Sequence, residues 1–278
     1  MNTRLSALLL ILIFHLVGSG CTHPAKQTRP SQLRVGLSLQ HPPMAFTENN
    51  RLEGIEPDLA RLAARSLDRR IQFVVLKPEE LIPALKRRDL DVIVDGLALT
   101  ESTDEGLLMT HPYFQSGQRL AVLDRDYEYQ DRSAPLLLLN SRVGYIRKSA
   151  GEKYVKEHLT PHQTKTYSFH STDEAARSLR SGRIDFLIDE GPKIWWLTQK
   201  SGESEIIVLP KTLTRVDLSW AVAPGNSGLQ SELNTLIDQW RTTNELGRII
   251  EKWVPSSSFR ETFRSGRHRA TVSGLNRR

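Results

Sequence analysis

The sequence predicts an α/β protein built from two similar lobes, and three observations carry that expectation. Apolar, β-branched runs alternate with stretches of helical spacing along the body of the chain. The strand–helix–strand pattern runs twice, ending first in Arg88-Asp89-Leu90-Asp91-Val92-Ile93-Val94-Asp95 and then in Gly182-Arg183-Ile184-Asp185-Phe186-Leu187-Ile188-Asp189. A length of 278 residues, 38% hydrophobic and 25% charged, is enough for two cores and excludes a polytopic membrane protein. Units of this kind imply mainly parallel sheets, with ligand-facing groups gathered at strand ends and a cleft between the lobes.

The elements follow in order. Leu33-Arg34-Val35-Gly36-Leu37 alternates apolar and polar residues before the break at His41-Pro42-Pro43, as a short strand and its loop would. Glu56–Leu67 carries Leu59, Leu62, Ala63 and Leu67 at helical spacing. Ile71–Leu76 reads as a buried strand, Pro78-Glu79-Glu80 opens a second helix, and Asp91–Gly96 is a strand running into a glycine turn. The second round has a strand at Ser141–Ile146, a helix at Ser149–His158 and an amphipathic stretch at Asp173–Leu179. A strand at Ile184–Asp189 closes it. Leu218–Ala223 is one more strand, followed by a helix from Leu229 to Arg241 with Leu233, Leu236, Ile237 and Trp240 on its buried face. Leu246–Trp253 is a final short helix. Trp195 and Trp196 read as partly core, with one of them at the edge of the cleft.

The formal charge of +6 and pI near 9.5 suggest nucleic acid or an anionic membrane as partner. Segment by segment, +3 sits in residues 1–32 and +5 in 256–278, so the body between them carries −2. Nucleic acid is thereby set aside. Arg4, the apolar run Leu5–Val17 and the small residues Gly18-Ser19-Gly20 read as a secretory signal rather than a spanning helix. Cys21, the only cysteine, stands at the expected processing point. This resembles a bacterial lipoprotein signal, although Gly18 stands where an aliphatic residue is usual, and it implies lipidation of Cys21; a plain secreted protein is the alternative. Thr22–Gln32 has the composition of a flexible tether, and residues 256–278 that of a basic disordered tail.

The body resembles the amino-acid-type substrate-binding proteins of ABC transporters, solute-binding family 3, over Leu33 to about Pro255. The residues that carry the resemblance are Leu33-Arg34-Val35-Gly36, Pro42-Pro43-Met44-Ala45-Phe46, Leu52–Ala60, Leu81–Leu85 before the Asp91 strand, and His111-Pro112-Tyr113-Phe114. Val143-Gly144, Ser149-Ala150-Gly151-Glu152, Gly182–Asp185, Leu246-Gly247 and Lys252-Trp253 complete the ordered set. The resemblance implies a two-lobed periplasmic-binding-protein (type II) clamp that closes on ligand, with two strands crossing the hinge near Leu120–Leu123 and Leu218–Val222. It implies residues 1–20 as signal peptide, 21–32 as tether, 33–119 and 220–255 as lobe one, and 120–219 as lobe two.

The resemblance also nominates site residues. Phe46 matches an aromatic wall of the pocket, against the alternative of an ordinary core phenylalanine. Gly96 and Ala98 match backbone positions that bind the ligand's amino and carboxylate groups. Thr103 stands where the family has an arginine that forks onto the ligand carboxylate, and a hydroxyl supplies neither the fork nor the charge. Asp189 matches the acid for the ligand ammonium, with a helix cap as the alternative. Asp95 is an additional acid at the corresponding strand end. Two acids without the arginine favour a cationic or amine-bearing solute, since a buried carboxylate is costly unless paired. Ser149 and Ala150, at a helix N-terminus, match a loop whose N–H groups hold a carboxylate, and Ser149 also reads as a plain cap. No metal or cofactor is required: the histidines lack ligand spacing, and no phosphate loop or nucleophile elbow is present.

The implied function is a periplasmic, membrane-anchored, monomeric binding protein. It does no chemistry and hands a small polar, amino-acid-like solute to an inner-membrane ABC permease. The alternatives are an enzyme on the same scaffold, of the cyclohexadienyl or prephenate dehydratase kind, and a sensory ligand-binding protein.

Overall fold

The alternation read from the sequence folds into two sheets of one design. The computed structural model describes residues 32–39, 42–98, 106–126, 138–159, 164–200 and 205–254. In the first sheet β1 (Gln32–Leu37) lies between β4 (Arg70–Val75) and β5 (Val92–Ala98), parallel to both. Antiparallel β13 (Val216–Val222) joins on β5, and the short β6 (Leu108–Met109) and β7 (Phe114–Ser116) pair with β13. In the second sheet β9 (Arg142–Ile146) lies between β10 (Lys165–Phe169) and β11 (Phe186–Glu190), again parallel to both. Antiparallel β8 (Gln118–Leu123) joins on β11, with β12 (Ile206–Thr212) beyond it. Each sheet thus has three parallel strands in the order second–first–third, and a fourth, antiparallel strand from elsewhere in the chain. A hairpin of β2 (Phe46–Glu48) and β3 (Arg51–Glu53) stands apart.

Helices cover both faces of each sheet, as parallel sheets require. On the first, α1 (Ile55–Ser66), α6 (Ser227–Thr242) and α7 (Glu245–Trp253) bury Leu59, Leu233, Ile237 and Ile250 against Leu33, Val35 and Trp220. On the other face α2 (Pro78–Lys86) buries Leu81 and Leu85 against Ile93 and Ala221. Around the second sheet, α4 (Thr172–Arg180) and α5 (Gly191–Lys200) share a core with Ala121 and Leu187, while α3 (Ala150–His158) packs Tyr154 and Val155 against Val122 and Ile188. Among the described residues no helix is long and apolar enough to cross a membrane.

The internal echo extends to single bonds. Asp91 accepts from the Arg34 backbone N–H at 2.7 Å and from its guanidinium at 3.3 and 2.8 Å, and the Asp91 N–H returns a bond to the Arg34 carbonyl at 2.9 Å. Asp185 does the same for Arg142, at 2.7, 3.1 and 2.5 Å, with the return bond at 2.7 Å. In both sheets this clasp ties the first parallel strand to the segment entering the third.

The chain passes between sheets twice, at Gly117 and around Thr214. The two passages touch: Gln118 donates its N–H to Thr214 Oγ1 at 2.9 Å, and Leu213 donates to the Gln118 carbonyl at 2.8 Å. Gly117 has φ +156°, and a Cβ there would lie 1.9 Å from the Thr214 carbonyl oxygen, so only glycine allows the approach.

Candidate functional site

The site begins at the N-terminus of α1. The Pro43 and Met44 carbonyls accept the N–H groups of Ile55 and Glu56 at 2.8 and 3.1 Å, satisfying amides that the helix itself leaves open. Gly54, at φ +128°, permits this wrap, since a Cβ would meet the Met44 carbonyl at 2.3 Å. The arrangement turns Glu56 inward, at 0% exposure. Tyr113 donates its hydroxyl to Glu56 Oε1, and Oε2 has no hydrogen-bond partner. Burial, and after it the charge of Asp95, pushes the Glu56 carboxyl up to about 8, against the opposing pull of Tyr113 and the Gly96 N–H.

Asp95 itself, on β5, is 8% exposed, and its Oδ1 accepts from both the N–H and the hydroxyl of Ser38, each at 2.7 Å. Gly96 follows in a left-handed conformation, φ +57°. Ser38, Glu56, Asp95, Gly96 and Tyr113 therefore form one cluster at the ends of β1 and β5. Of Ala98 the structure gives the backbone, paired with Leu218 across β13. Thr103, Cys21 and residues 255–278 lie outside the described residues.

On the second sheet Asp189 holds the place on β11 that Asp95 holds on β5. It is fully buried, accepting from Thr172 Oγ1 at 2.6 Å and from the Glu190 N–H at 2.8 Å. Burial raises its pKa from the ordinary aspartate value, and the Lys193 charge opposes that rise. Ser149 caps α3: its Oγ accepts from the N–H groups of Gly151 and Glu152 at 3.1 and 3.3 Å and donates to the Ile146 carbonyl at 2.6 Å. Ser149 thus serves as the cap of α3, and Asp189 ties β11 to Thr172 at the start of α4. Ala150 is exposed at the start of that helix.

Phe46 does not stand alone at a pocket wall. Its ring packs on Trp196 of α5 and Trp253 of α7, with centroids 5.3 and 5.6 Å apart, so it joins the helical layers of the two sheets. Trp196 and Trp253 also meet, at 6.1 Å. Trp195 is buried with the Arg119 guanidinium 4.8 Å above its ring.

Sequence reasoning missed Glu56, Ser38 and Tyr113. The signal for Glu56 was present: Leu59 and Ala60, three and four residues on, belong to the buried face of α1 and put Glu56 on that face. Among the described residues no group of three His, Cys, Asp or Glu side chains is arranged to hold a metal ion.

Residues 33–256 match the family of bacterial extracellular solute-binding proteins, family 3. The chain belongs to this family. It is 25% identical over 229 residues to an L-arginine-binding protein of Pseudomonas aeruginosa, covering 80% of this chain and 87% of that one. To the ABC transporter arginine-binding protein 1 of Escherichia coli it is 25% identical over 230 residues, 81% and 91% of the two chains. Among solved structures, an ancestral cationic amino-acid solute-binding protein superposes with a TM-score of 0.71 at 23% identity, over 81% of this chain and 96% of that one. The two-lobed α/β architecture expected of the sequence is the fold of this family 3 protein, and the two curated relatives named above are arginine-binding proteins.

Proposed function

We propose that this family 3 protein is the solute-binding component of an ABC transporter and captures a small, cationic, amino-acid-like solute. The observation that carries the reading is the pair of buried carboxyls, Asp95 and Asp189, at equivalent positions on β5 and β11 of two matching sheets. Buried acids at a binding site favour a ligand that brings positive charge. The names of the arginine-binding relatives support the same solute class, as does threonine at position 103, which removes the usual fork for a carboxylate.

In this reading residues 33–117 with 214–254 form one lobe and 118–213 the other, the bounds expected at 119 and 220 falling inside β8 and β13, and solute is held between the lobes. Asp95 and Asp189 face the solute's cationic groups, and the backbone at Gly96 and Ala98 lines the site. Thr103 contributes a hydroxyl, Phe46 borders the site, and the amides at Ser149 and Ala150 take the carboxylate end. Cys21 carries a lipid that anchors the protein on the periplasmic side of the membrane, where a monomer delivers solute to its permease.

A thermal-shift screen tests the solute class. Arginine, lysine, ornithine and polyamines are expected to raise the melting temperature, with about 2.7 kcal/mol of stabilisation at a hundredfold excess over Kd. Stabilisation by dicarboxylates alone overturns the reading. Incubation with prephenate is expected to leave it unconsumed, and turnover would move the protein to the enzyme class.

A further inference from the structure

Helix α5 starts where the two sheets meet. Its first residue, Gly191, donates its N–H to the Gly117 carbonyl at 2.9 Å, in the passage between the sheets. Further along it, Trp196 lies against Phe46 and Trp253 of the first sheet's layer, with centroids 5.3 and 6.1 Å away. Lys193 precedes Trp196 by one turn of the helix, so the two side chains share the face turned to that layer. The Lys193 side chain is 16% exposed, and its Nζ lies 3.3 Å from Glu190 Oε1. Burial disfavours the charged form of Asp189, and the charge of Lys193 works against that effect. A cation thus stands beside the acid of the second sheet, on the side from which the first sheet approaches.

In the proposed reading Asp189 faces the solute, and Lys193 beside it faces the solute too. An ammonium has three donors, so its contact with Glu190 is compatible with a second acceptor. A solute group carrying only positive charge meets Lys193 as a like charge. A group that carries a carboxylate next to its ammonium matches both side chains, the ammonium at Asp189 and the carboxylate at Lys193. We propose that Lys193 contacts the solute and takes its carboxylate, so that the site selects cationic amino acids over the amines that carry the same side chain without a carboxylate. The inference rests on the cationic reading and narrows it, to arginine over agmatine and lysine over cadaverine. Lys193 adds a full charge to the amides at Ser149 and Ala150, which receive the same carboxylate. Polyamines still find Asp95 and Asp189, and bind more weakly because Lys193 repels them.

Isothermal titration of the whole protein with arginine and with agmatine reads the selection directly. Arginine is expected to bind about 10–100-fold more tightly, the worth of one hydrogen bond between charged groups. Lys193→Gln is expected to lose most of that ratio, by weakening arginine and tightening agmatine, whereas Lys193→Arg keeps the charge and is expected to keep the ratio. A lysine that merely ties α5 to Glu190 would lower the melting temperature of the glutamine variant and weaken both ligands alike; an unchanged ratio therefore overturns the inference. So does a wild type that binds the two ligands within about threefold of each other, a result that leaves the cationic class standing. Absence of binding by arginine, lysine, ornithine and their amines overturns both readings. Glu190→Gln covers the case in which Lys193→Gln does not fold. It removes the charge that competes for Lys193 and is expected to raise the ratio of arginine to agmatine affinity; an unchanged ratio there counts against the inference in the same way.

Discussion

The Glu56 carboxyl keeps its proton up to about pH 8, and this registers in the stability of the protein. The unfolded chain releases that proton near pH 4.3, so between about 4.3 and 8 the folded state holds one proton more. Stability from this group is therefore fully present below the unfolded value and is lost as pH rises through the folded one, with a limiting slope of about 1.4 kcal/mol per pH unit. Urea denaturation at several pH values is expected to show this decline, and Glu56→Gln is expected to flatten it and to be the more stable form above pH 8; an unchanged slope in the variant would sink the assignment. Backbone conformation gives a second contrast. Gly54 and Gly182 both have positive φ, but a Cβ at Gly54 meets a carbonyl at 2.3 Å while one at Gly182 meets nothing within 4 Å. Gly182→Ala is expected to cost about 1–2 kcal/mol of strain alone, and Gly54→Ala clearly more, since the Pro43–Met44 wrap must also shift; equal midpoints in urea would contradict this. Asp95 and Asp189 were legible because strand alternation and the repeated sequence put acids at matching ends. Glu56 was legible only in its spacing to Leu59 and Ala60, against the usual role of an acid in a helix's first turn, which serves the helix dipole in water. Its inward turn comes from the Pro43–Met44 wrap, and its partner there, Tyr113, lies 57 residues away.

At the scale of elements, legibility follows how local the forces are. The helices beginning at Ala150 and Thr172 were readable within a residue, because Ser149 and Ser171 cap them through bonds spanning two or three residues. β6 and β7 were not, since strands of two and three residues exist through pairing with β13, more than 90 residues on. The same holds for α5, whose Gly191-Pro192 start signals a turn until the Gly191 N–H is seen bonded to the Gly117 carbonyl at 2.9 Å. Ser149 yields a test that separates helix from ligand. Replacing a serine cap by alanine costs about 1 kcal/mol, so Ser149→Ala is expected to lower the urea midpoint accordingly. Solute affinity should change little, because the proposed carboxylate contacts are backbone amides. A large loss of affinity with an unchanged midpoint would instead assign the hydroxyl itself to the solute.

For the whole molecule, the question is what holds the two sheets in their observed relation. Two kinds of contact do so. The passages at Gly117 and Thr214 are covalently continuous with both sheets and permit bending there, whereas the Phe46–Trp196–Trp253 cluster lies between helical layers and can separate. Aromatic pairs of this geometry contribute about 0.5–1.5 kcal/mol each beyond the area they bury, and Trp196 makes two of them. Such an energy is comparable with the few kcal/mol that separate two states of a hinged protein. Trp196→Ala is therefore expected to shift the population toward separated lobes: a larger radius of gyration in X-ray scattering without solute, and a weaker apparent affinity, since part of the binding energy must now draw the lobes together. Saturating solute should restore the wild-type radius. Trp196→Phe, which keeps a ring against Phe46, is expected to fall between. If the alanine variant scatters like the wild type and differs only in melting temperature, the cluster is ordinary core packing and closure is governed at the two passages alone.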